Sequence, residues 1–282
     1  MIRGLNEANS SELVVARLRP ADGRQPAPFL VSLIRHLHAF VRETKPSQNE
    51  WRQAIGLLTE VGHATDDKQQ EWVLASDLLG ITALLEAVNS RRPHAATPDT
   101  VRGLFYRPDA PQVANGASIS IDGKGEALSV SVRVLDLDGS PVPGAVVETW
   151  QANADGFYEN QQPDLQPEFN LRGTLCADAD GRVNYRTVRP SGYVVPLDGP
   201  VGRLLSRFGS LRRPAHLHFI VRAEGFETIN THVFDGSDPW LEQDALFGVK
   251  PELIGRFVKG DAGWTLNFDF VMARAKPERR AA

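Results

Sequence analysis

The first half of the chain carries apolar residues in helical register. From residue 28 to about residue 90 they recur every three to four positions, which is typical of amphipathic helices. Leu30 to Val41 forms one such stripe. The stretch "SQNEW" (47–51) predicts the start of a second helix, because Ser47 and Glu50 have the spacing of a capping box. A third helix is predicted over "KQQEWVLASDLLGITALLEAVN", before a stretch that contains two prolines.

After residue 115 the apolar period becomes two, as in β-strands with one buried face. Turn residues (Gly, Pro and Asp) separate the segments. The fold class is therefore predicted to be mainly β with an α-helical N-terminal domain (1–100), followed by an antiparallel β-sandwich domain (101–282). The predicted strands are "ASISID", "ALSVSVRVLD", "AVVETWQA", "LRGTLCAD", "RVNYRTV", "HLHFIVRA", "ETINTHVF" and "WTLNFDFVMA". A basic C-terminal tail (273–282) is predicted to be frayed.

Composition and charge narrow the range of partners. The formal net charge of −4 gives no reason to expect nucleic acid or an anionic membrane as a partner. No apolar run is long enough for a signal peptide or a membrane span, so we expect a cytoplasmic protein without membrane insertion. The single cysteine, Cys176, allows no intrachain disulfide and is expected to pack as a small hydrophobic residue.

The tripeptide His-Leu-His occurs twice, in two different structural settings. His36 and His38 lie in a predicted helix, where about 200° of rotation separates their side chains. His216 and His218 lie in a predicted strand, where they project from the same face about 7 Å apart. Only this second pair can converge on one metal ion, although an isolated pair of this kind is more often structural.

Two of the four tyrosines lie in Gly-bearing segments that are predicted to be irregular. Tyr158 lies in "NADGFYEN" and Tyr193 in "RPSGYVVP", where a tyrosine of the buried core is not expected. Loops held by a rigid β scaffold often carry functional residues. Each tyrosine taken singly could equally cap the sandwich.

Together these segments resemble the intradiol ring-cleavage dioxygenases, which are non-haem iron(III) enzymes. The resemblance rests on "GFYEN", "PSGY" and "RPAHLHF" in this order, and it covers nearly the whole chain. The segments "VPLDGPVG" and "DPWLEQDALFGVK" are most similar to the members of the family that cleave hydroxyquinol (benzene-1,2,4-triol).

This resemblance implies a cofactor, a reaction and a set of site residues. It implies non-haem Fe(III) held by Tyr158, Tyr193, His216 and His218, with Tyr193 also taking part in catalysis. Phenolate oxygen suits the small, highly charged ferric ion, and the metal must drive both phenol deprotonations at neutral pH. Arg213 is implied to stabilise negative charge on the substrate ring, although a salt bridge is the competing interpretation.

The implied reaction is intradiol cleavage of hydroxyquinol, or of a related small aromatic diol or triol, by O2. The product would be 3-hydroxy-cis,cis-muconate, which tautomerises to maleylacetate. A catechol or substituted-catechol 1,2-dioxygenase is the alternative within the family.

The resemblance also implies a set of residues that bind the substrate. Asp77 could accept a hydrogen bond from an extra ring hydroxyl, or could be an ordinary exposed helix residue. His232 could bond to a metal ligand or simply fill a strand face. Arg102 stands where relatives commonly have an apolar residue, and Leu104 replaces a common proline, so the substrate could be anionic or unusually substituted. The predicted substrate-binding residues are Leu74, Asp77, Val101, Arg102, Gly103, His232, Ala245 and Leu246.

The partners that the resemblance implies are the substrate, O2 and a second copy of the chain. The helical domain is expected to form the centre of a homodimer, with a phospholipid possible at the dimer interface. Two other interpretations compete. One is a non-enzymatic prealbumin-like β-sandwich binding module. The other is a zinc hydrolase at His216 and His218, for which the sequence offers no convincing third ligand.

Overall fold

The computed structural model divides the chain into two compact units, Met1–Glu60 and Val61–Ala282. The part of the predicted frayed tail after residue 275 lies outside the described residues, as do residues 68 and 69 of the third predicted helix. Among the described residues, no helix has both the length and the apolarity needed to cross a membrane. The structure describes residues 4–18, 27–66, 70–90, 92–207, 209 and 211–275.

The helices of the N-terminal region follow the predicted periodicity, with one break. The capping box at the start of the helix Gln48–His63 is confirmed, because the Ser47 backbone N–H donates to Glu50 (2.8 Å) and the Glu50 N–H donates to Ser47 Oγ (3.2 Å). The third predicted helix is wrong as a single element. It divides at Gly80, whose φ of 69° is left-handed and interrupts the helical backbone. The helices are α1 (Ser10–Arg17), α2 (Pro28–Thr44), α3 (Gln48–His63), α4 (Glu71–Leu78) and α5 (Ile81–Asn89).

The rest of the second unit is built on two β-sheets, so the predicted fold class is confirmed. "ASISID" does not form a strand, since only Ser118 makes an isolated bridge, to Arg186. Cys176 was expected to be packed, but it is exposed at the end of its strand, where its side chain points away from the core side that Leu175 and Ala177 share. The strands are β1 (Ala127–Asp136), β2 (Val146–Trp150), β3 (Arg172–Cys176), β4 (Arg182–Val188), β5 (Tyr193–Val194), β6 (Arg212–Arg213), β7 (His216–Arg222), β8 (Ile229–Asp235), β9 (Ile254–Gly255), β10 (Phe257–Gly260) and β11 (Gly263–Met272), with a short helix α6 (Pro200–Leu205) between β5 and β6.

The strand order shows that the two sheets are not purely antiparallel. The first sheet has the order β10-β11-β1-β4 and the second has the order β3-β2-β7-β8-β9, while β5 and β6 form a separate pair. The β1–β11 and β8–β9 pairs are parallel. Alternation of apolar and polar residues cannot reveal this, because it is the same in parallel and antiparallel strands that have one buried face.

The two sheets share one apolar core, and β7 is buried on both of its faces. Leu217, Phe219 and Val221 of β7 belong to this core together with residues of β1, β4 and β11. Because side chains alternate along a strand, His216 and His218 project from the opposite face. That second face is covered by loops and is also buried. The histidine pair therefore lies on the outer side of the second sheet.

Candidate metal centre

Four side chains from three segments meet on the outer face of β7. Tyr158 is at the start of a 3-10 turn (Glu159–Gln161), Tyr193 is in β5, and His216 and His218 are in β7. The Tyr158 Oη lies 2.8 Å from His218 Nε2 and 3.4 Å from Tyr193 Oη. The Nε2 atoms of His216 and His218 are 3.1 Å apart. The structure thus brings all four predicted ligands together.

The spacing of these four atoms fits a single metal ion. Two ligand atoms at right angles, each about 2.1 Å from a metal, lie about 3.0 Å apart. The measured separations between neighbouring donor atoms run from 2.8 to 3.4 Å. The donor set of two phenol oxygens and two imidazole nitrogens suits a ferric ion, since these are hard and borderline ligands without a thiolate.

Hydrogen bonding and burial fix the protonation states that a metal requires. The Nδ1 of His216 lies 2.6 Å from the carbonyl oxygen of Pro214, so Nδ1–H donates there and the Nε2 lone pair faces the cluster. Burial, reinforced by the charge of Arg213, lowers the pKa of His216 to about 3. Burial also lowers the pKa of His218 well below its ordinary value. Both imidazoles are therefore neutral at pH 7.

The structure modifies the prediction for the two tyrosines. The segment of Tyr158 is irregular as predicted, but the side chain is only 1% exposed, whereas a buried tyrosine was not expected there. Burial, followed by the proximity of Tyr193, raises the pKa of Tyr158 well above its ordinary value. A phenol in this position releases its proton only to a strong local positive charge such as a bound metal ion. Tyr193 is only half-buried, so the two phenols differ in their access to solvent.

Aromatic neighbours hold two of the four rings in place. Trp150, at the end of β2, stacks on His218 with ring centroids 4.5 Å apart and planes 11° apart. Phe105 stacks on Tyr158 at 4.4 Å and 25°. Sequence analysis missed both residues, because an aromatic residue at a strand end or in a loop carries no signal of what it will contact.

Arg213 is buried next to the four donor atoms and pairs with a carboxylate. Its Nε lies 3.0 Å from Asp244 Oδ1, and its Nη1 lies 3.3 Å from His216 Nε2. Burial opposes the charged guanidinium, but Asp244 raises the pKa of Arg213, so the cation is retained. Both interpretations of this arginine are compatible with its position, since it forms a salt bridge and also directs a positive charge at the site. Asp244 was not predicted, because its role depends on a pairing across 31 residues.

His232 lies in β8 directly opposite His218 and is completely buried. Its Nδ1 is 3.5 Å from Arg213 Nη2, while no described residue bonds its Nε2. Together His216, His218 and His232 form a group of nitrogens close enough to hold a metal. The sequence argument against a zinc site, that a third ligand was lacking, is therefore wrong. The tyrosine oxygens remain the feature that a zinc hydrolase site does not require.

Of the remaining residues predicted to bind the substrate, the structure links some to the four donor atoms and leaves the others untested. An added Cβ on Gly103 would lie 3.2 Å from His218 Cε1, so this backbone touches the site, and Arg102 beside it is exposed. Asp77 is buried, not exposed, and burial raises its pKa. The charges of Arg213 and Asp244 both act on it. Contact with the four donor atoms stays a prediction for the other four residues, all buried: Leu74, Val101, Ala245 and Leu246.

Comparison with known proteins adds independent findings. A family described as "Dioxygenase" matches residues 103–274, and one described as "Catechol dioxygenase N terminus" matches residues 28–97. The chain is 45% identical over 282 residues to a hydroxyquinol 1,2-dioxygenase of Rhizobium sp. (strain MTP-10005), covering 95% of this chain and 96% of that protein. It is also 45% identical over 269 residues to a 6-chlorohydroxyquinol 1,2-dioxygenase of Cupriavidus pinatubonensis, covering 95% and 97%. A crystal structure of a hydroxyquinol 1,2-dioxygenase from Pseudomonas putida DLL-E4 superposes with a TM-score of 0.84 at 36% identity, covering 95% of this chain and all of that one (100%).

Replacing Asp244 by asparagine tests the buried ion pair. Because Asp244→Asn leaves the Arg213 cation buried without a charged partner, we expect the free energy of unfolding at pH 7 to fall by about 3–5 kcal/mol. The matched control is Asp269→Asn, which breaks an exposed pair with Arg133 and should cost at most about 1 kcal/mol. Urea unfolding monitored by fluorescence measures both. Equal losses in the two variants would contradict the prediction.

The same pair has a defined pH dependence. Burial favours the protonated acid, but the Arg213 charge and hydrogen bond outweigh it and hold the pKa of Asp244 below its ordinary value. The contribution to stability is therefore present above the unfolded pKa of about 3.9 and is lost as pH falls through the lower folded value. In the unfolding experiment, the difference between Asp244→Asn and the unmodified protein should accordingly narrow below about pH 4.

Proposed function

The chain belongs to the intradiol ring-cleavage dioxygenase family, and from this premise we propose that it cleaves hydroxyquinol with O2 at a non-haem ferric centre. The C–C bond between the two adjacent hydroxylated carbons breaks and both atoms of O2 enter the product. That product is 3-hydroxy-cis,cis-muconate, which tautomerises to maleylacetate. Relatives named for hydroxyquinol and chlorohydroxyquinol at 45% identity support this substrate over catechol.

The observation that carries the proposal is the convergence of two phenol oxygens and two imidazole nitrogens within 3.4 Å of their neighbours. The family uses non-haem iron, and these atoms fit its ligand preferences. We assign Tyr158, Tyr193, His216 and His218 as the ligands. When bound, the ferric ion would coordinate and acidify a vicinal diol, making the ring electron-rich enough to react with O2.

The two tyrosines are suited to different tasks. Tyr158 is buried and stacked against Phe105, so it is proposed as the permanent ligand. Tyr193 is half-buried and belongs to a strand of only two residues, so its side chain is more accessible to solvent than that of Tyr158. We assign the Tyr193 Oη as the acceptor of a proton from a substrate hydroxyl. The greater exposure of Tyr193 than of Tyr158 supports these two different roles.

Arg213 supplies the fixed positive charge of the site. Its guanidinium is held by Asp244 and lies within 3.3 Å of His216 Nε2, so it does not have to reorient during the reaction. We propose that it stabilises the negative charge that develops on the substrate ring, because a preoriented cation in a buried site acts strongly on such charge. His232 would support this arrangement through its contact with Arg213.

Asp77 is the proposed acceptor for the third hydroxyl of hydroxyquinol. It is buried, and its carboxylate oxygens have no described partner at full hydrogen-bond geometry, although burial raises its pKa and the nearby Thr82 hydroxyl partly opposes that rise. A buried acceptor of this kind strongly favours a ligand that supplies a donor. We propose that Leu74, Val101, Gly103, Ala245 and Leu246 complete the pocket wall. Arg102, at the exposed edge next to Gly103, would favour an anionic substituent on the substrate.

Visible absorption and O2 uptake test the proposed centre. We expect the iron-loaded protein to show a tyrosinate-to-iron charge-transfer band and to consume O2 with hydroxyquinol. Tyr158→Phe should abolish or strongly weaken the band and lower kcat by more than about 100-fold, because removal of a ligand exceeds the 10–100-fold typical of supporting residues. Tyr185→Phe is the control, since Tyr185 is equally buried but bonds Thr149 in the core. A colourless iron-loaded protein would refute the proposal.

A substrate panel tests the role of Asp77. We expect Asp77→Asn, which replaces a charged acceptor by a weaker neutral one, to lower kcat/KM for hydroxyquinol relative to catechol by about 10-fold. Asp138→Asn, which changes an exposed turn residue, is the control. O2 uptake is measured with hydroxyquinol, catechol, chlorocatechols and protocatechuate. If both variants keep the unmodified enzyme's ratio of kcat/KM for hydroxyquinol to kcat/KM for catechol, Asp77 does not bind the third hydroxyl.

We further propose that the chain forms a homodimer through its N-terminal helices. In the first unit, α2 and α3 leave large apolar side chains exposed that no described residue of this chain covers. An interface is the usual function of such a surface, and a bound phospholipid is a possible second occupant. A cytoplasmic location is part of the same proposal and is supported by the single cysteine. The exposed residues include Phe29, Leu33, Leu37, Phe40, Trp51, Ile55 and Leu58.

Sedimentation tests the dimer. We expect the protein to sediment as a dimer at micromolar concentration, and Leu37→Glu combined with Ile55→Glu to shift it to monomer, because two charges would be buried in the interface. A pair of glutamates at positions of the second unit, Leu165 and Ile121, is the control for added charge on exposed apolar residues. A stable monomer of the unmodified protein would contradict the prediction.

A further inference from the structure

A second buried ion pair lies beside Tyr158, separate from the pair of Arg213 and Asp244. Arg172, in β3, is 2% exposed, and its Nε donates to Glu159 Oε1 at 2.7 Å. Glu159 is also buried and follows Tyr158 directly in the sequence. A second arginine, Arg107, reaches the same carboxylate oxygen at 3.2 Å from a more exposed position.

The contacts of Arg172 surround the ring of Tyr158. Its Nη1 donates to the carbonyl oxygen of Phe105 at 2.6 Å, and Phe105 is the residue stacked on Tyr158. The guanidinium carbon lies 5.9 Å from the centroid of the Tyr158 ring. Arg172 therefore connects the residue stacked on this ring with the residue that follows it, and it brings a full positive charge close to the ring.

Stabilisation of the fold does not explain why the Arg172–Glu159 ion pair is buried. Burying two charges costs free energy that their attraction often fails to recover. In addition, Arg172 Nη2 and Glu159 Oε2 are buried without a hydrogen-bond partner among the described residues. Such groups are expected where the charge itself serves a neighbouring site.

We propose that Arg172 is a positioning residue that fixes the orientation of Tyr158 and, together with Glu159, sets the energy of its phenolate electrons. This inference rests on the proposed iron site and deepens it. The cation stabilises electrons on the ring, whereas the Glu159 carboxylate destabilises them. The two members of the pair should therefore shift the charge-transfer transition from Tyr158 to the metal in opposite directions.

The visible spectra of charge-neutralising variants of the iron-loaded protein test this inference. Arg172→Met removes the positive charge, which should raise the energy of the phenolate electrons and move the band to longer wavelength by about 10 nm. Glu159→Gln removes the negative charge and should move the band to shorter wavelength by a similar amount, about 10 nm. Arg172→Lys keeps the charge and should leave the band near its original position. Arg107→Met is the matched control, because it contacts the same carboxylate from a more exposed position and should cause a smaller shift.

The outcomes separate this inference from the proposed function. Opposite shifts, at iron contents equal to that of the unmodified protein, would support the inference, because simple loosening of the loop would change both spectra in the same direction. Shifts of the same sign, unshifted bands, or an Arg107→Met shift as large as that of Arg172→Met would overturn it and leave the iron site intact. If Arg172→Met does not fold, Glu159→Gln decides alone, by the presence or absence of its shift. An unmodified protein without any band would overturn both proposals.

Discussion

The burial of β7 on both faces is the constraint on which the site depends. Leu217, Phe219 and Val221 anchor the strand in the core between the sheets, which fixes its register. Strand alternation then places His216 and His218 on the opposite face, with their Nε2 atoms 3.1 Å apart. A shift of one residue in register would exchange the two sets and would turn the imidazoles into the core. The apolar core on one face of β7 therefore positions the two imidazole nitrogens that are proposed to bind the metal on the other face.

The site contains buried polar and charged groups that would not be expected if stability of the fold were the only requirement. The neutral imidazoles, a buried phenol with a raised pKa and two buried ion pairs all lie at or next to this one site. The stacks of Trp150 on His218 and of Phe105 on Tyr158 supply the rigid packing that holds these polar groups in place. Polar groups arranged in this way are preorganised for a cation and for the negative charge that develops beside it.

The sequence predicted those parts of the protein that depend on local periodicity. The strands β1 and β4, the capping box of α3 and the shared face of the two histidines all follow from spacing along the chain. The two phenols were found through a resemblance to a family, because two loop tyrosines 35 residues apart have no periodic relation.

Asp244, Trp150 and Arg172 could not be predicted, because their roles arise from tertiary pairing of distant segments. The break at Gly80 was missed because the apolar stripe continues through a residue whose positive φ the pattern does not encode. Local spacing therefore predicts which face a side chain occupies, whereas its partners require the fold.

The choice between a zinc site and a ferric site depends on which atoms complete the histidine pair. Three histidine nitrogens alone would satisfy a catalytic zinc ion. The Arg213 guanidinium does not separate the two interpretations, because it lies 3.3 Å from His216 Nε2 and 3.5 Å from His232 Nδ1. On the opposite side, the Tyr158 oxygen lies only 2.8 Å from His218 Nε2 and is buried where a phenolate is stable only against strong positive charge. A trivalent ion meets this requirement better than a divalent one, so the position of Tyr158 supports the proposed ferric ion.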